Sequence, residues 1–232
     1  DAVVSIVSMP HDVELVHLGP DGTLKAKNPA PILIDMTTSD PGLAQRIHAE
    51  ALKKGIHAID APVSGGDIGA REARLSIMIG GDPEGVEAAL PIFEAVGRTI
   101  VHQGPAGAGQ HTKVVNQLLV ASSMIGACEA LLYGQRAGLN PDLVLESVSS
   151  GAAGSWTVSN LAPRMVKRDF EPGFFVEHFV KDLGIAMAEC SKMGLSLPGL
   201  DLAYGLYTRL NKAGRGKKGT QALLMALEEM NS

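Results

Sequence analysis

The chain has 232 residues, 45% of them hydrophobic, which is enough for one large domain or two modest ones with cores of their own. Its net charge of −5, with no sustained run of Lys or Arg, argues against nucleic-acid binding by bulk electrostatics. Two cysteines without CxxC spacing and seven histidines without HxxxH or HExxH spacing point away from a disulfide framework and a protein-bound metal.

No apolar stretch of about 18 residues and no signal-peptide pattern stands out, so a soluble protein in a reducing compartment is expected, with no membrane partner. The chain opens at once on an apolar run, Val3–Val7. Short β-type runs then alternate with helical patterns. Strands are predicted at Val3–Val7, Pro31–Asp35, His57–Asp60, Leu75–Gly80 and Thr99–His102, and helices at His11–His17, Pro41–Lys54 and Pro83–Val96. Asp40-Pro41 and Asp82-Pro83 are helix openings, a capping side chain followed by a proline that has no N–H to leave unpaired. Strands alternating with helices predict a parallel sheet covered on its faces. The run Pro31-Ile32-Leu33-Ile34 suits a strand buried on both sides.

From Gly107 the strand signals fade. Gln110–Ala137 reads as one long helix, with Ala121, Ser122, Ser123, Gly126, Ala127 and Ala130 allowing close approach of another helix. Gly138 ends it, and Asn140-Pro141 opens the next. Further helices are predicted over 141–149, 156–167, 177–193, 198–213 and 219–230. The expected architecture is an α/β domain with a parallel sheet over 1–106, then an all-helical domain over 107–232 that begins with the long helix. Near the end, Arg215, Lys217 and Lys218 are interrupted by glycines and read as a solvated loop.

Four segments could carry chemistry. Asp60-Ala61-Pro62-Val63-Ser64-Gly65-Gly66 leaves the end of a strand; a Ser-Gly-Gly turn can offer backbone N–H groups and a hydroxyl to a carboxylate, or serve as a plain strand-to-helix loop. Gly107-Ala108-Gly109-Gln110-His111-Thr112-Lys113 places a lysine in the first turn of the long helix, with Asn116 and Gln117 three and four residues on and therefore on its face. With Val114 and Val115 beside it, Lys113 is either partly desolvated and suited to giving or taking a proton, or an ordinary solvated lysine. Lys181 and Asp182 are adjacent and so point in different directions on a helix, which also suits a surface ion-pair role. Met9-Pro10 and Thr37-Thr38 follow strands, where a dinucleotide lies in a doubly wound fold, although Pro and Thr also favour turns there.

Together these segments resemble the β-hydroxyacid dehydrogenase family, which includes 3-hydroxyisobutyrate dehydrogenase and tartronate semialdehyde reductase. Asp60–Gly66 looks like its substrate-binding signature. Gly107-x-Gly109-x-x-x-Lys113-x-x-Asn116-Gln117 looks like its catalytic signature, and Lys181-Asp182-Leu183 like its third conserved stretch. The resemblance implies a Rossmann-type first domain, NAD or NADP as cofactor, and a small semialdehyde or β-hydroxyacid substrate. It implies Lys113 as general acid and base, Ser64, Gly65 and Gly66 as holders of the substrate carboxylate, and Asn116 and Gln117 as substrate-orienting groups. Lys181, supported by Asp182, would reach the cofactor, with Met9, Pro10 and Thr38 lining the nicotinamide-ribose site. A homodimer or homotetramer follows from the same likeness. The compartment expected is the cytoplasm, with the mitochondrial matrix as the alternative.

Departures from the pattern bear on the substrate. Asn116-Gln117 stands where many 3-hydroxyisobutyrate dehydrogenases carry Asn-Asn, and is closer to tartronate semialdehyde reductases, as is Gly65–Glu72; the run Leu197–Leu227 leans the other way. The pair Asn116-Gln117 departs from the His-Asn of decarboxylating 6-phosphogluconate dehydrogenases, and Lys113 from imine reductases, which lack the lysine. No strand here leads through Gly-x-Gly-x-x-Gly into a helix, the arrangement that holds a pyrophosphate. Two βαβ units, about 60 residues, would supply it, and an N-terminally truncated Rossmann-type domain that binds dinucleotide poorly is the expectation. The rival reading from another class is a non-catalytic dehydrogenase-like module for oligomerisation or recognition.

Overall fold

The computed structural model describes all 232 residues. The chain divides into two compact units, Asp1–Asn116 and Gln117–Ser232. The sequence sets the boundary at 106/107, ahead of the long helix. The contacts divide the chain inside that helix instead, because its first two turns are bound into the sheet unit.

The first unit runs β1 (Ala2–Ser5), α1 (Pro10–Leu18), β2 (Ile32–Asp35), α2 (Pro41–Leu52), β3 (His57–Asp60), β4 (Val63–Ser64), α3 (Gly66–Arg71), β5 (Leu75–Gly80), α4 (Pro83–Val96) and β6 (Gly97–Gly104). β1, β2 and β3 are parallel neighbours, in the register Ser5↔Asp35↔Asp60. β5 and β6 are also parallel. The two blocks meet antiparallel, Asp60 opposite Gly80 and Val63 opposite Ile77, so the sheet is parallel-dominated rather than wholly parallel. β4 and β5 pair antiparallel because Ser64 and Leu75 are joined only by a short loop and the six-residue α3, and a parallel crossover needs about a dozen residues or more. The short strand β4 and helix α3 carry too little periodicity to be read from sequence.

The inner strand β2, between β1 and β3, is buried on both faces, as its apolar run suggests. Leu33 packs with Val13, Leu43, Ile47 and Ala58 on one side, while Ile34 packs with Ile59, Ile77, Ile79 and Phe93 on the other. The Asp-Pro openings act as caps: Asp40 accepts the Leu43 N–H and Asp82 the Gly85 N–H, each at 2.9 Å. Both caps fix where α2 and α4 leave the carboxyl ends of their strands.

Helix α5 (Ala108–Arg136) runs from the first unit into the second. It corrects one expectation. One 18-residue window in α5 has a mean hydropathy of 1.4, long and apolar enough to cross a membrane by length and composition alone. Core helices pass the same test, and its buried residues, Lys113, Gln117, Ala121, Met124, Ile125 and Cys128, recur at helical spacing on one face.

The second unit continues with α6 (Pro141–Ser149), α7 (Ala162–Val166), α8 (Val176–Met193), α9 (Pro198–Leu210) and α10 (Leu223–Met230). Its core centres on Phe179 of α8 and Tyr207 of α9, stacked edge to face with centroids 4.8 Å apart, and Leu183, Leu210 and Leu223 are fully buried. The single helix expected over 156–167 is two pieces, a wide turn at Thr157–Leu161 and then α7, where Pro163 sits in the first turn and has no N–H to continue the earlier ladder. A second wide turn, Asn211–Arg215, follows α9 and ends at Gly214 in the left-handed region, φ 77°.

Candidate active site

The site grows from the start of α5. The Asp60 carboxylate, at the end of β3, accepts the Gly107 N–H at 2.7 Å and the Gln110 N–H at 2.9 Å, taking two of the donors that a helix N-terminus leaves without intrahelical partners. Burial pushes the Asp60 carboxyl upward from the usual carboxylate range, against the pull of these backbone donors. The Gln110 side chain is buried and ties the same turn to the loop after β2: its amide donates to the Thr37 carbonyl at 2.8 Å and accepts the Ser39 N–H at 2.9 Å.

One turn further on, Lys113 is only 6% exposed, and its ammonium donates to the Val63 carbonyl at 2.7 Å. The lysine is thus desolvated, and it sits against the residue that precedes Ser64. Gly65 and Gly66 are exposed and both have positive φ, 133° and 63°, conformations that favour glycine and that turn the backbone outward at the start of α3. Lys113 and the Ser64–Gly66 turn, separated by about fifty positions in sequence, are brought together. Asn116 lies one turn along from Lys113 on the same helix, half-buried.

At the carboxyl ends of β1 and β2 the loops are joined by the Val7 N–H, which donates to Thr37 Oγ1 at 2.9 Å. Met9 and Pro10 open α1, and Thr38 lies in the neighbouring loop, so these three predicted cofactor residues share one edge of the sheet. Beneath that edge lies a buried Ser-His-Asp group. Ser5 Oγ is 3.0 Å from His17 Nε2 and donates to Asp35 Oδ1 at 3.0 Å, and His17 Nδ1 meets Thr23 Oγ1 at 2.9 Å. Burial lowers His17 to a pKa of about 4 and raises Asp35 to about 6. The serine lies between the other two, so the histidine does not receive support from the aspartate as a nucleophile-activating base would.

The edge has features that fit a bound dinucleotide. It lies outside the carboxyl ends of parallel strands, and the buried Ser39 hydroxyl has no hydrogen-bond partner within the protein. Gly214-Arg215-Gly216-Lys217-Lys218-Gly219 has the glycine spacing of a pyrophosphate loop but follows a helix, and Arg215, Lys217 and Lys218 pair with Glu229, Glu177 and Glu171. It is a structural turn.

In the second unit, the Lys181 ammonium lies 2.8 Å from Asp182 Oδ1, and the Gln117 side-chain amide donates to Asp182 Oδ2 at 2.5 Å. The adjacent residues do meet, and the pair is buried rather than on the surface: the side chains are 9% and 1% exposed. Sequence reasoning passed over Asp60 and Gln110 as site residues, and Ser5, His17 and Asp35 altogether. The first two lie inside the quoted segments; the other three carry no motif.

Known proteins resemble this chain over nearly its whole length. The family described as NAD-binding of NADP-dependent 3-hydroxyisobutyrate dehydrogenase matches residues 107–227, and the NAD binding domain of 6-phosphogluconate dehydrogenase matches residues 1–104. A probable 3-hydroxyisobutyrate dehydrogenase-like 1, mitochondrial, of Arabidopsis thaliana is 48% identical over 100% of this chain and 70% of its own length. The 2-hydroxy-3-oxopropionate reductase of Escherichia coli is 36% identical over 99% of this chain and 79% of its own. The Mycobacterium tuberculosis 3-hydroxyisobutyrate dehydrogenase solved with L-serine superposes with a TM-score of 0.87 at 30% identity, covering 97% of this chain and 79% of that one. These relatives make the chain an NAD(P)-dependent oxidoreductase of hydroxyacids. The chain belongs to the β-hydroxyacid dehydrogenase family. The non-catalytic alternative has no support among these relatives.

Proposed function

We propose that the chain interconverts a small β-hydroxyacid and its semialdehyde, of the 3-hydroxyisobutyrate or tartronate semialdehyde type, with Lys113 as the proton-transfer group. The observation that carries this is the buried Lys113 ammonium held at the carbonyl of Val63, next to a Ser-Gly-Gly turn whose backbone can approach a carboxylate. The nicotinamide, when bound, supplies or accepts the hydride. Ser64, Gly65 and Gly66 hold the substrate carboxylate, which fixes which carbonyl oxygen faces Lys113. The Val63 carbonyl anchors the Lys113 ammonium beside the turn, from where it donates a proton to the forming alkoxide. Asn116 orients the substrate from the next turn. Met9, Pro10 and Thr38 line the nicotinamide-ribose site. The resemblance gives Lys181 a cofactor-binding role, and Asp182, held in turn by Gln117, fixes its head.

A homodimer fits the exposed apolar face of α5, where Val115, Leu119 and Tyr133 are exposed on a stripe that also carries Ser122 and Gly126. Such a stripe is apolar apart from Glu129, and its small residues admit a second helix. Leu119→Glu should then lower the mass seen by light scattering to that of the monomer. Both cysteines are buried thiols, which suits a reducing compartment, the cytoplasm or the mitochondrial matrix.

The test is initial rates of NADH and NADPH oxidation with tartronate, methylmalonate and succinic semialdehydes, and of the reverse reaction with 3-hydroxyisobutyrate and L-serine. Lys113→Ala should cost about 10²–10⁴-fold in kcat, the usual share of a general acid. Turnover within threefold of the wild type would remove Lys113 from the mechanism.

A further inference from the structure

We infer that Asp60 is a positioning residue for Lys113, its carboxylate acting as the fixed pin on which the first turn of α5 is hung. The inference rests on the proton-transfer role of Lys113 proposed above.

Three observations converge on this carboxylate. It is buried, yet both its oxygens are used by the backbone of one helical turn, the Gly107 and Gln110 N–H groups. The chain also makes room for it. A Cβ at Gly80 would meet Asp60 Oδ1 at 2.5 Å, and a Cβ at Gly109 would meet Asp60 Oδ2 at 2.8 Å and the Asp60 carbonyl at 2.7 Å. The same Gly109 Cβ would meet the Met78 carbonyl at 2.5 Å and the Gly80 Cβ the Gly109 nitrogen at 2.7 Å, so the two glycines let the start of the helix close on both the strands and the carboxylate. Finally, the pin and the lysine act on the same short segment. Asp60 holds the beginning of α5, and the Lys113 ammonium returns to Val63, three residues after Asp60. This loop of contacts, Asp60 to Gly107, along the helix to Lys113 and back to Val63, leaves the ammonium little freedom relative to Ser64.

An alanine or asparagine at 60 should therefore act through the lysine. Asparagine keeps the shape but replaces one acceptor oxygen with an N–H₂, which faces the helix donors as a donor itself. The first turn should loosen and Lys113 shift. A displacement of about 1 Å is worth about 100-fold in rate.

The test is a double-mutant cycle in the full-length protein. Asp60→Asn is expected to lower kcat by about 30–100-fold while the KM for the semialdehyde and the dissociation constant for the cofactor stay within threefold. Combined with Lys113→Ala it should cost nothing beyond Lys113→Ala alone, because both changes remove one function. Hydrogen–deuterium exchange gives a readout independent of turnover: peptides spanning 105–113 should exchange at least tenfold faster in Asp60→Asn, with those of β1 and β2 unchanged. Full kcat in Asp60→Asn, unchanged exchange over 105–113, or a double variant worse by the product of the single losses would overturn the assignment. So would a uniform rise in exchange across the sheet, since it would make Asp60 a general stability residue. If instead Lys113→Ala stays active, the proton-transfer reading fails, and the assignment falls with it.

Discussion

Replacing Asp182 by alanine tests how the helical unit tolerates its buried charges. The Lys181 side chain is 9% exposed and that of Asp182 1%, at an N–O distance of 2.8 Å, so the pair is desolvated and the surface estimate of a few tenths of a kcal/mol does not apply. Removing one partner of such a buried pair costs about 3–5 kcal/mol. The Gln117 amide, at 2.5 Å from the same carboxylate, also loses its acceptor and adds to the loss. The helical unit runs from Gln117 to Ser232. At about 2.1 cal/mol/K per residue its unfolding entropy is about 0.24 kcal/mol/K, so Asp182→Ala should lower its midpoint by about 12–20 °C. Lys181→Met/Asp182→Leu, which removes both charges and keeps apolar volume, should recover more than half of that. The assay is calorimetric or far-ultraviolet thermal unfolding at fixed pH and salt, with the double variant alongside. A shift of less than about 3 °C in Asp182→Ala, or a double variant as unstable as the single, would refute the reasoning.

Two further outcomes follow from the sheet and the helical core. His17 has a folded pKa lowered to about 4 from 6.5, so the unfolded chain binds the extra proton and stability is lost as pH falls from 6.5 to 4; Asp35 has a folded pKa raised to about 6 from 3.8, so stability is lost as pH rises over nearly the same window. The slopes oppose and nearly cancel in the wild type, whereas Asp35→Asn should expose the histidine and give stability that rises by about 1 kcal/mol per pH unit between pH 4 and 6. Urea midpoints across that range check this, and a variant profile parallel to the wild type would contradict the assignment. Phe179→Ala, which empties a fully buried site beside Tyr207, should cost about 3–5 kcal/mol by urea denaturation, and a cost under about 1.5 kcal/mol would mean that the aromatic pair is not the centre of the helical core.

Much of the fold was legible from periodicity and punctuation. The caps at Asp40, Asp82 and Asn140 were readable because an acceptor side chain followed by proline has one strongly favoured use. The two-faced burial of β2 was readable because a strand with no polar residue before Asp35 cannot present a wet face. The antiparallel meeting of β3 and β5 was not: it depends on how the two-residue β4 and the six-residue α3 turn the chain between them, and both are too short to carry a periodicity. Likewise the long helix α5 reads as one element from its sequence, but its membership in two units depends on which neighbours each turn touches.

The site separates along the same line. Lys113 and the Ser64–Gly66 turn could be found because their chemistry needs those residue types in a short span, and a glycine pair or a desolvated lysine is visible in a segment of seven. Asp60 stood in plain view at the head of one such segment, and Gly109 inside another, yet neither could be given a role, because the role is a relation among three strands and a helix. The absent side chains at Gly80 and Gly109 mean nothing until the Asp60 carboxylate is seen filling the space they leave. Gly214–Gly219 shows the converse: its spacing matches a nucleotide loop, but its cations are matched by Glu229, Glu177 and Glu171, and a turn whose charges are already paired offers a phosphate little. A motif therefore locates reactive groups, while the partners that hold those groups still must be read from the contacts of the folded chain.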